Sequence, residues 1–148
     1  MTEYEFQQFL HNQIPLTKAM DFNVLEFTPS KVRISAKLEP NINHMSTAFG
    51  GSINCLLTIC GWAMTYIHIK EIDVNTHIVL QKSSINYLAP ISNDFVAECV
   101  LSDKDQENIK NFSRTYSKHK KSKLKLNISC YDEQTLAAKF QGLYVAYK

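Results

Sequence analysis

Two adjacent glycines, Gly50 and Gly51, stand directly before a long apolar run that begins at Ser52. The first turn of a helix has amide groups without an intrahelical partner and carries the positive end of the helix dipole. Glycines at that place leave the amides open to a carbonyl oxygen on which negative charge develops, so the pair could form an oxyanion-binding element. The same pair could do no more than make the turn into the helix. Other groups of chemical interest stand nearby in the chain. Asn43 could hold a carbonyl or orient a water through its amide, or it could simply form a turn. His44 is of the type that serves as a general base near neutral pH, or else is an exposed loop residue. Ser83 and Ser84 open the segment SSINYLAP and read as strand residues that face solvent. The basic run KHKKSKLK, with Arg114 close by, could receive phosphates or the acidic face of a protein through Lys121 and Lys123. Its alternative is a solvated strand edge, where lysines discourage pairing with other chains.

Charge and cysteine usage exclude several classes. The 148 residues carry a formal charge of +2, too near neutral for a chain whose affinity comes from neutralising nucleic-acid phosphates or a membrane surface. Apart from Tyr116, no aromatic residue interleaves the lysines, so base stacking is not expected either. The four cysteines, Cys55, Cys60, Cys99 and Cys130, form no CxxC pair and lie among apolar neighbours. That pattern predicts buried thiols in a reducing compartment, with neither a zinc site nor a disulfide framework. No metal and no cofactor is expected. The first residues, MTEYEFQQFLHNQ, lack a basic segment followed by an apolar one, so no secretory signal is read and the cytoplasm is the expected location.

These residues need a scaffold, and hydrophobic periodicity supplies its outline. Hydrophobic residues make up 45% and charged residues 20%, as in a well-packed globular protein, and the length fits one domain over 1–148. Residues 2–12 read as a short amphipathic helix that ends before Pro15. Residues 21–38 read as two strands joined at Thr28-Pro29-Ser30, the second alternating Val32, Ile34, Ala36 and Leu38 with polar neighbours. A turn-rich loop, PNINHMSTAFGG, leads to a helix over about 52–71. No charged residue occurs between Pro40 and Ile69, yet the interspersed Ser, Asn and Thr and the strands that follow favour a buried core helix over a membrane span. Strand patterns follow over 76–89, 94–101, 121–131 and 135–147. The polar segment 103–120 reads as an irregular surface excursion with at most one helical turn near Asn108–Phe112. The order of elements implies an α+β domain, an antiparallel sheet wrapped on one long helix.

On a helical wheel Gly51, Asn54, Thr58, Gly61, Thr65 and His68 share one stripe between two apolar ridges. One ridge contains Ile53, Leu57, Cys60, Met64 and Ile67, the other Cys55, Ile59, Trp62, Tyr66 and Ile69. Such a notch allows close approach of a second subunit, or forms a pocket for an elongated apolar ligand whose polar end meets Asn54 and Thr58. Pocket depth then depends on Phe49, Trp62 and Tyr66.

The segments PNINHMSTAFGGSINCLLTICGW, IPLTKAMDF and SSINYLAP carry a resemblance. From about Ile14 to Tyr147 the chain resembles the hot-dog thioesterase family of the YiiD C-terminal domain type. The resemblance implies about six strands around the central helix, a homodimer that could pair further into a tetramer, and acyl thioesters of coenzyme A or acyl carrier protein as substrates. The resemblance and the residue readings above together assign Asn43, Gly51, Thr58 and Ser84 to the chemistry, Ser84 because polar groups of that strand come close to the substrate in similar hot-dog enzymes, and His44, Phe49, Gly50, Asn54, Trp62, Lys121 and Lys123 to substrate binding. Many related thioesterases resemble the pattern N-x-x-G-x-x-H-G-G-x-x-x-x-L-x-D. Here Asn43, Gly50, Gly51 and Leu56 match, whereas Ser46 replaces a glycine, Phe49 the histidine and Thr58 the carboxylate that activates water. The alternatives are a non-catalytic acyl-chain or carrier-protein binding module, for which the missing carboxylate argues, and a hot-dog dehydratase or hydratase.

Overall fold

Thr2 and Glu5 form a capping box at the start of the computed structural model, which describes residues 1–148, and helix α1 runs from Glu3 to Gln13. Satisfying both orphan donors reciprocally fixes the helix start. Pro15, which lacks the amide that a first turn leaves unpaired, opens the five-residue helix α2 (Pro15–Ala19). Strands β1 (Phe22–Phe27) and β2 (Lys31–Ala36) follow, joined at the expected Thr28-Pro29-Ser30 turn. After one 3-10 turn at Glu39–Asn41 comes the central helix α3 (Gly50–Lys70), then β3 (His77–Tyr87), β4 (Phe95–Val100), α4 (Asp103–His119), β5 (Lys121–Asp132) and β6 (Thr135–Tyr147).

The six strands form one antiparallel sheet in the order β1-β2-β4-β5-β6-β3. Its concave face wraps α3, whose Leu56, Leu57, Cys60, Ala63 and Met64 are wholly enclosed. The α+β class and the hot-dog arrangement are therefore those the sequence implied. A helix this apolar passes the length test for a membrane span, but more than half of its apolar window is buried inside the fold by the surrounding strands. Strand alternation is clean where one face packs on the helix, as in β5, with Leu124, Leu126, Ile128 and Cys130 inward and Lys121, Lys123, Lys125 and Asn127 outward.

The segment 103–120 is a correction. It is a 17-residue helix begun by a second capping box, Ser102 with Asp105, and closed at Lys120 in the left-handed conformation. Ile109, Phe112 and Tyr116 recur at helical spacing and are buried, and the Tyr116 hydroxyl donates to Asp73 at 2.8 Å. The capping signature and this three-residue stripe were the available signals, outweighed by the surrounding polarity.

All four cysteines are free, and Cys60, Cys99 and Cys130 lie in the core. Burial pushes the Cys99 and Cys130 thiols up to about 12, and Cys60 well above its ordinary range. Raised values keep them neutral and unreactive near pH 8. Iodoacetamide is therefore expected to label only the partly exposed Cys55 in the folded protein and all four after denaturation. Fewer than four labelled thiols in denaturant would overturn the assignment of a fully reduced chain.

Candidate functional site at the head of the central helix

The loop before α3 is built by asparagines. The Asn41 side chain is buried and its Nδ2 donates to the carbonyls of Met20 and Lys37, at 2.8 and 2.7 Å, while the Asn41 backbone carbonyl accepts from the Phe49 amide at 2.7 Å. Asn43 closes the inner turn: its Oδ1 accepts from Met45 N at 2.8 Å and Thr47 N at 3.1 Å, and its Nδ2 donates to Thr47 Oγ1 at 2.8 Å. In this geometry the Asn43 amide organises its own loop. Ser46 has φ 62°, a left-handed conformation that costs an L-residue roughly 1–2 kcal/mol and that a glycine would adopt freely. His44 is exposed and makes no hydrogen bond within the chain.

The loop delivers Gly50 and Gly51 to the first turn of α3. No side chain caps this helix, and the amides of both glycines have no partner within the protein, so two adjacent donors point away from the helix at the positive end of its dipole. The Phe49 ring lies across Gly51: a Cβ at that position would fall 2.5 Å from Cε2 of the ring. Tyr87, at the inward-facing end of β3, donates its hydroxyl to the Gly50 carbonyl at 2.8 Å and fixes the turn from the opposite side. Partial burial, and to a lesser degree Cys55, raises the Tyr87 pKa, so the hydroxyl stays protonated and keeps donating. Phe49 and Tyr87, which touch the glycine turn, are exposed and form an apolar rim beside these amides, and Ile42, Met45 and Leu88 of the adjoining segments are exposed as well. Tyr87 was not singled out from the sequence, although it lies within the SSINYLAP segment that was.

One and two turns further along α3, Asn54 and Thr58 border a cavity of about 120 Å³ closed by Leu16 and Met20 of the α2 region. The Asn54 Oδ1 is buried without a hydrogen-bond partner, the one polar atom in this wall so placed. The notch itself divides. Its far half is filled from within the subunit, because Tyr144 of β6 packs on Gly61 and donates to the Thr58 carbonyl at 2.8 Å. Thr65 is wholly buried and donates to the Gly61 carbonyl at 2.9 Å. The half that holds Asn54 and Thr58 adjoins open space, and at the far end His68 borders a separate groove.

Three sequence-derived assignments land elsewhere. Trp62 donates its indole N–H to the Ile78 carbonyl at 3.1 Å and stacks with Phe6, Phe9 and Tyr66, so α1 covers that ridge and the ring is structural. Ser84 pairs with the outward-facing Gln141, which puts it on the convex face of the sheet, whereas Ser83 faces inward. The bulge between Leu80 and Lys82 reverses the alternation and accounts for the difference. Lys121 and Lys123 also point outward, at the opposite end of β5, roughly 25 Å along the strand from the residues level with the glycines at about 3.3 Å per residue.

The description "Putative thioesterase (yiiD_Cterm)" belongs to the family that matches residues 3–148. A putative thioesterase from Shewanella oneidensis is 31% identical, with 99% of this chain and 97% of that chain covered and a TM-score of 0.81. A protein of unknown function from Chlorobaculum tepidum is 26% identical, covers 99% and 94% of the two chains and superposes with a TM-score of 0.90. A probable thioesterase from Pseudomonas aeruginosa, at 19% identity, 99% and 96% coverage and a TM-score of 0.81, shares the fold. The family's match runs over residues 3–148, nearly the whole chain, and the protein therefore belongs to the YiiD_C thioesterase family.

Proposed function

We propose that this protein hydrolyses acyl thioesters, carried on coenzyme A or on an acyl carrier protein, at a pocket between two copies of the chain. The observation that carries the reading is the pair of unpartnered Gly50 and Gly51 amides beneath an exposed apolar rim. The thioester carbonyl would accept from these amides, water would attack its carbon, and the oxyanion of the tetrahedral intermediate would be held by the same donors before the thiol leaves. The acyl chain would enter the cavity beside Asn54 and Thr58. No carboxylate lies on α3, so water activation is weak and turnover is expected to be slow. Four free thiols, three of them in the core, suit work in the cytoplasm.

The second copy is argued from β3, which is a sheet edge of 11 residues with Val79 and Tyr87 exposed. A long unpaired edge is a template for another strand, and an identical edge pairs with it around a twofold axis. Light scattering at micromolar concentration is expected to give a dimer or a multiple of it, and a stable monomer would remove the shared pocket.

Turnover of a panel of acyl-CoA and acyl-carrier-protein thioesters tests the activity, with release of free thiol as the readout. Binding without turnover would favour an acyl-binding module, the reading supported by the absence of a helix carboxylate. Hydration of an enoyl thioester is not expected, because His44 has no acidic partner.

A further inference from the structure

We propose that the groove between α4 and the last turn of α3 receives the phosphorylated nucleotide end of an acyl-coenzyme A whose thioester lies at the partner's glycine amides. This rests on the thioesterase reading above and names the carrier that it leaves open. The groove has a volume of about 670 Å³, within the usual range for small-molecule sites. Its polar wall is one face of α4, where Lys110 and Arg114 stand four residues apart with Ser113 and Ser117 beside them. Like charges at that spacing disfavour a helix. Neither cation takes part in any of the ion pairs of the protein, which engage Lys31, Arg33, Lys37 and Lys148 instead. Two cations and two hydroxyls on successive turns suit a phosphate group. The floor is the apolar surface of Leu101, Ile109 and Ile72, which suits a flat base. Glu71 and His68 form the opposite wall; His68 is held by its Nε2 contact with the Pro29 carbonyl at 2.8 Å, and Glu71 is the only acid in the groove.

Topology connects this groove to the glycines of another copy. Strand β3 starts with His77 at the end of the sheet that holds the groove and finishes with Tyr87 at the end that holds Gly50. Ile72, in the turn between α3 and β3, lines one side of the groove, and Pro29 and Ser30 of the β1–β2 turn line another. Antiparallel pairing of two β3 edges would bring the end of the sheet that holds the groove of one copy level with the helix head of the other, and an extended coenzyme A would cross between them. An acyl carrier protein has no nucleotide to offer here, so the groove selects coenzyme A.

The experiment compares an acyl-CoA with the pantetheine thioester of the same acid, using wild type and a K110Q/R114Q variant whose changed side chains are exposed. Loss of two charge-assisted contacts is expected to raise KM for the acyl-CoA about tenfold or more, with kcat and pantetheine-thioester hydrolysis unchanged. Adenosine 3′,5′-bisphosphate is expected to bind wild type by calorimetry and to bind the variant at least tenfold more weakly, while inorganic phosphate at the same concentration does not displace it. Equal KM values, or equal nucleotide binding by the two proteins, would overturn the groove while leaving the thioesterase reading intact. Displacement by inorganic phosphate would reduce the groove to a general anion site and overturn the nucleotide assignment. If wild type bound the bisphosphate but cleaved neither thioester, the thioesterase reading would fail and with it the assignment of the nucleotide to a substrate.

Discussion

Thr58→Asp is expected to raise thioester hydrolysis by about tenfold or more while lowering the melting temperature. Thr58 occupies the position where related enzymes resemble one another in carrying a carboxylate, and it borders the cavity beside Asn54 two turns below the glycine amides. A well-placed general base contributes roughly a hundredfold or more, and the gain is smaller here because no neighbouring donor is arranged to orient a charge. Desolvation raises the pKa of a partly buried carboxylate, so the added rate should increase with pH as the group ionises. Stability follows the opposite sign. A group whose folded pKa is raised contributes fully below its unfolded value of about 3.9 and loses that contribution as pH rises through the folded value. The penalty at neutral pH is on the order of a few kcal/mol if no partner satisfies the charge. Thr58→Asn has a similar shape without the base and should share part of the destabilisation but none of the acceleration. If a folded, dimeric Thr58→Asp protein is no faster than Thr58→Asn at pH 8, this stretch of α3 does not face the thioester.

Gly61→Ala carries the largest expected effect on stability. A Cβ at that position would lie 2.2 Å from the Tyr144 hydroxyl oxygen and 2.6 Å from Cζ, and Tyr144 is fully buried. Overpacking of this kind costs typically 1–3 kcal/mol, and displacing the ring would also break its hydrogen bond to the Thr58 carbonyl, for about 1 kcal/mol more. The sum corresponds to a melting-temperature drop of roughly 5–15 °C for a chain of this size. Gly61→Ala combined with Tyr144→Phe should recover part of it, since the nearest atom is gone while the ring carbon remains. An undiminished melting temperature for Gly61→Ala alone would mean that α3 can shift off β6, and the division of the notch would not hold.

The helix of 21 residues, the six strands and most of their inward faces were legible because burial leaves a periodic trace: β5 alternates at period two, and α3 has no charged residue before its terminal Lys70. The resemblance added the glycine pair and the missing carboxylate. Segment 103–120 was misread because a helix anchored by Ile109, Phe112 and Tyr116 needs only one narrow apolar stripe, and a solvated majority hides it. With α4 went the groove beneath it, which consists of residues far apart in the chain.

What the sequence determined by itself is therefore α1, the central helix and the order of the six strands, since periodicity and alternation are local properties of the chain. Tertiary structure alone decided which groups face one another. A single bulge in β3 turned Ser84 outward and left Tyr87 to meet Gly50. The wheel placed Gly61 in an open notch, but Tyr144, far along the chain, fills it. The amides of Gly50 and Gly51 were available in principle to any acceptor, and only the closed loop of Asn41 and Asn43 leaves them unpaired. The reason in each case is the same: contacts between residues distant in sequence depend on strand register and on side-chain volume within a close-packed interior, and neither is encoded in any short stretch of the chain.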